Sequence, residues 1–79
     1  MKFTEEQCEK LSDIPADEVL KDIEDTQKEV DNLRVELNSF LLNPVINRLN
    51  IYVTEGKIRE RVEFIENLNL LLKHRNEII

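Results

Sequence analysis

Apolar side chains recur through most of this chain at alternating three- and four-residue steps, the spacing that gathers them on one side of an α-helix. Ala16, Val19, Ile23, Thr26, Val30, Leu33, Leu37 and Phe40 form one such stripe, with Leu20 and Leu41 widening it and Thr26 and Gln27 as its weak layer. Beyond Pro44 there are two stripes. Ile51, Ile58, Val62, Ile65 and Leu72 lie on the first. Ile46, Leu49, Val53, Phe64, Leu71 and Ile78 lie on the second, roughly 140° round the helix. A single stripe covers a single stripe. The hairpin core therefore joins Ile23, Val30 and Leu37 to Ile51, Ile58, Ile65 and Leu72, and the second stripe needs a further helix, another copy or a different protein.

The breaks between these runs give an all-α chain with helices over about 4–11, 15–42 and 44–75. Thr4-Glu5-Glu6-Gln7 matches a capping box, and Phe3 and Cys8 occupy the two positions of a hydrophobic staple. A helix this short is unstable alone, so Phe3, Cys8 and Leu11 must rest on the rest of the protein. Pro15 suits the first position of the second helix, where Asp17 and Glu18 meet the positive end of the dipole. Asn43-Pro44 is the clearest boundary, asparagine as cap and proline as helix start. It predicts a tight antiparallel hairpin in preference to a bent continuous helix. Gly56 weakens the last helix by about 1 kcal/mol against alanine. The shared stripe of Ile51 and Ile58 argues that the helix continues across it.

At 79 residues the chain forms one small domain, of a size that buries only about 60% of its unfolded surface. One cysteine excludes an internal disulfide, and one histidine leaves little for structural zinc. The coiled-coil-like hairpin is therefore expected to be completed by oligomerisation. No apolar run approaches a membrane span, none near the N-terminus is long enough for a signal peptide, and a lone thiol fits a reducing compartment. A cytoplasmic protein with no membrane partner is the expectation.

The net charge of −6 is uneven: residues 1–43 carry −7 and residues 44–79 carry +1. Such acidity opposes direct nucleic-acid binding. The basic groups Lys57, Arg59, Arg61, Lys73, His74 and Arg75 lack the interleaved aromatics or glycine-rich loops that would hold phosphate, and Arg61 and Arg75 flank the Leu68 row, where their stems can snorkel over apolar surface. His74, the only histidine, has Glu77 one turn away but no companion ligand. Cys8 sits among Glu5, Glu6 and Glu9, which oppose a thiolate. Glu60, Glu63 and Glu66 are interleaved with Arg59 and Arg61, as on a solvated helix face rather than in a dimetal site. No catalytic, cofactor or metal residues are assigned.

These readings predict a non-enzymatic protein–protein interaction module that binds itself, as a dimer, or another protein. Its interface is Ile46, Leu49, Val53, Phe64 and Leu71. The alternative is a small acidic inhibitor or adaptor, of the kind found among regulators of mobile elements. Its acidic face, Asp22, Asp25, Glu29 and Glu36, would stand in for phosphates in a basic groove of a nucleic-acid-processing enzyme.

Overall fold

A computed structural model describes residues 2–11 and 13–78, with side chains up to position 74. The side chains of Arg75, Glu77 and Ile78, named above, lie outside the described residues. Three helices follow in order: α1 (Glu5–Lys10), α2 (Ala16–Leu41) and α3 (Arg48–Ile78). The two long helices form the hairpin, and α1 packs on α3. Among the described residues no helix is long and apolar enough to cross a membrane.

The start of α1 forms as its sequence dictates. Thr4 Oγ1 accepts from the Gln7 amide at 3.2 Å, and Gln7 Oε1 accepts from the Thr4 amide at 2.9 Å. Pro15 stands just outside α2 as its cap residue rather than inside the first turn, and its carbonyl accepts from the amides of Glu18 and Val19. Ala16 is exposed, so the buried stripe starts at Val19.

The hairpin turn is longer than the Asn43-Pro44 boundary implies, and α3 begins at Arg48 rather than Pro44. Packed helix axes stand about 8–10 Å apart, too far for that dipeptide to bridge while both flanks stay helical. Residues 42–47 make the crossing instead. The Asn47 side chain, rather than that of Asn43, ties it together: Nδ2 donates to the Asn43 carbonyl at 3.1 Å and to the Phe40 carbonyl at 3.4 Å. Phe40 lies in the last turn of α2, where carbonyls lack helical partners, and its carbonyl accepts from the Asn43 amide at 3.1 Å as well. Gly56 does not interrupt α3.

The core is concentrated at the open end of the hairpin. Cys8, Val19, Leu68 and Leu71 form one buried cluster, with Phe3, Leu11, Ile14, Ile23 and Leu72 packed round it. Val19 and Leu71 are 1% and 0% exposed. Val30 is fully buried further along α2, and Thr26 lies in the buried seam as the weak layer. Ile51, Ile58, Val62 and Ile65 are half-buried, the state expected where only one neighbouring helix covers them. The principal extents, 51 × 21 × 14 Å, are those of a rod. Its radius of gyration is 15.8 Å, against about 12 Å for a compact domain of this length.

Candidate functional site

The second stripe of α3 is divided between two environments. At its C-terminal end α1 supplies the further helix: Leu71 lies beneath Cys8 and Val19 in the buried cluster. Leu71 is thus part of the folded core and unavailable as an interface residue, because a nonlocal contact with α1 removes it from the surface. Its N-terminal part stays open. Leu49, Val53 and Phe64 are 73%, 44% and 41% exposed, and Ile46 is likewise exposed. Tyr52 on α3 and Val45 in the preceding turn are exposed as well. Single exposed apolar residues are ordinary on proteins, but a run of them along one helix is the usual mark of an interaction site.

Beside Val53 the surface dips. A hollow of about 450 Å³ is lined by Tyr52, Val53, Gly56, Lys57 and Glu60 among others. It exists partly because position 56 carries no side chain, and a Cβ built there meets nothing within 4 Å.

Asn67 fixes where the open surface ends. Its Oδ1 accepts from the Phe3 amide at 2.8 Å, and its side chain is buried. This bond pins the segment ahead of α1 onto α3 across 64 positions of sequence. Neither Asn67 nor Asn47 stands out in the stripe pattern. The available signal is local: asparagine is a poor helix former, and Asn67 stands inside a helical segment between Ile65 and Leu68 of the apolar pattern.

Asp22, Asp25 and Glu36 stand in solvent on α2. Glu29 differs, since its Oε2 accepts from Arg61 Nε at 3.0 Å across the hairpin. Arg61 is half-buried with its head on Glu29; it also lies 3.6 Å from Glu60. The pair is exposed enough that its contribution to folding is small, within about 1 kcal/mol.

Cys8 is buried. His74 is half-buried and its Nε2 has no hydrogen-bond partner among the described residues. The two line a shallow depression with Phe3, Glu5, Leu70 and Lys73. Among the described residues no three His, Cys, Asp or Glu side chains converge as a metal site. Compared with protein-family models, curated proteins and solved structures, the chain gives no significant match.

Proposed function

We propose that this chain is a non-enzymatic protein–protein interaction module whose docking surface is the open face of α3, from Leu49 to Phe64, together with Ile46 in the turn before it. The observation that carries this reading is the division of one apolar stripe, covered by α1 at Leu71 and bare at Leu49, Val53 and Phe64. The helical spacing that buries Leu71 at one end of the stripe also places Leu49, Val53 and Phe64 on the same side of α3, uncovered. Burying a large apolar side chain contributes about 1.5–3 kcal/mol, so a partner covering several of these residues gains enough to offset part of the cost of association.

The test is the doubly substituted chain Val53→Ser/Phe64→Ser. Both positions are exposed, so the helical signal should be preserved. Sedimentation mass and the proteins retained from an extract of the source cells should both be compared with the parent. Loss of mass or of a retained protein supports the reading. The same mass and the same retained proteins would refute it.

A further inference from the structure

The order of side chains on the open face points to its occupant. Val53, Lys57, Glu60 and Phe64 follow one another at steps of four, three and four, which holds them within an arc of roughly 60° on α3. All four are exposed. Read in either direction, the series places an apolar residue at each end and opposite charges between. A second α3 laid antiparallel therefore sets each Val53 against a Phe64 and each Lys57 against a Glu60. A parallel copy would instead oppose lysine to lysine and glutamate to glutamate.

We propose that a second copy of this chain docks here, antiparallel, about a two-fold axis passing between Ile58 and Arg59. The inference rests on the docking-surface reading above and names its partner. The contact is isologous, so each attractive pair occurs twice. The hollow beside Gly56 adjoins the crossing and leaves room for the approaching helix. Because α1 covers the same side of α3 at Asn67 and Leu71, the two helices must cross at an angle and diverge at their ends. The commonest helix crossing, about −50°, meets that requirement.

The elongated chain exposes 6115 Å² in all, and a standard interface removes ~800 Å² per partner. Glu60 is already near Arg61, but at 76% side-chain exposure it remains accessible to a partner's lysine.

The experiment compares the parent, Lys57→Glu, Glu60→Lys and the exchanged double variant by sedimentation equilibrium at low salt, with circular dichroism as the folding control. Each single variant places like charges opposite one another at two symmetric points, and the dimer should weaken about tenfold. The double variant restores both opposite-charge pairs and should return to within about threefold of the parent. A double variant as weak as the singles, or a parent that is monomeric at every concentration, overturns the proposal. If that monomeric parent still loses a retained protein through Val53→Ser/Phe64→Ser, the antiparallel pair fails and the docking surface stands.

Discussion

Two valines on α2 offer a matched test of where the hairpin core lies. Val30 is fully buried and Val35 is 70% exposed, five positions along the same helix. Alanine at either position removes two methyl-sized groups and improves helix propensity by the same amount, about 0.5 kcal/mol. Only burial differs. At Val30 the lost transfer energy is about 0.8 kcal/mol per group, or about 1.6 kcal/mol. A cavity contribution of up to about 1 kcal/mol adds to it. Val30→Ala should therefore be destabilised by about 2 kcal/mol relative to Val35→Ala. For a domain of this size, that separates the two melting temperatures by about 8–16 °C. Thermal unfolding followed at 222 nm reads the difference directly, at matched chain concentration because association raises apparent stability. Equal melting temperatures for the two variants would refute the packing of Val30 into an α2–α3 seam.

Three other substitutions probe the elements round this seam. Asn67→Ala removes the acceptor of the Phe3 amide; it should cost about 1–2 kcal/mol and speed the reaction of buried Cys8 with a thiol reagent, whereas unchanged labelling would show that the bond does not hold α1 in place. Gly56→Ala adds a methyl that meets nothing within 4 Å; at a chain concentration where parent and variant are both monomeric it should raise the melting temperature by about 4–8 °C, and a fall there would show that α3 is not a continuous helix at this point. Replacing Asp22, Asp25 and Glu36 with lysine should leave helicity and sedimentation mass unchanged because all three are exposed; loss of a retained protein in that variant would instead favour the acidic-mimic reading.

The regular part of this fold is legible in the sequence because it depends on short-range periodicity. The three-and-four spacing gives the hairpin, and Thr4 with Gln7 gives the start of α1. The surplus stripe is equally legible, since spacing alone shows that α3 has more apolar surface than α2 can cover. What the pattern does not reveal is how that surplus is shared. Leu71 and Phe64 carry the same hydrophobic signal, and only the docking of α1 separates a buried side chain from an exposed one. Asn67 and Asn47 escape for a related reason: their importance lies in the backbone groups they reach, Phe3 in one case and Phe40 in the other. The turn is misread because Asn43-Pro44 states a local preference, while the separation of the two helices is set by their side chains.

Fluorescence from a tryptophan at position 64 tests most directly whether this face is covered by a second copy. The chain has no tryptophan of its own, so Phe64→Trp supplies a single reporter at an exposed position on α3. Its emission should be recorded from nanomolar to high micromolar chain concentration, with Leu20→Trp on α2 as the exposed control. Antiparallel self-docking predicts that the position-64 emission moves to shorter wavelength with rising concentration, in step with dimer mass, while the position-20 emission stays fixed. A position-64 emission that remains that of a solvent-exposed indole throughout would contradict the account.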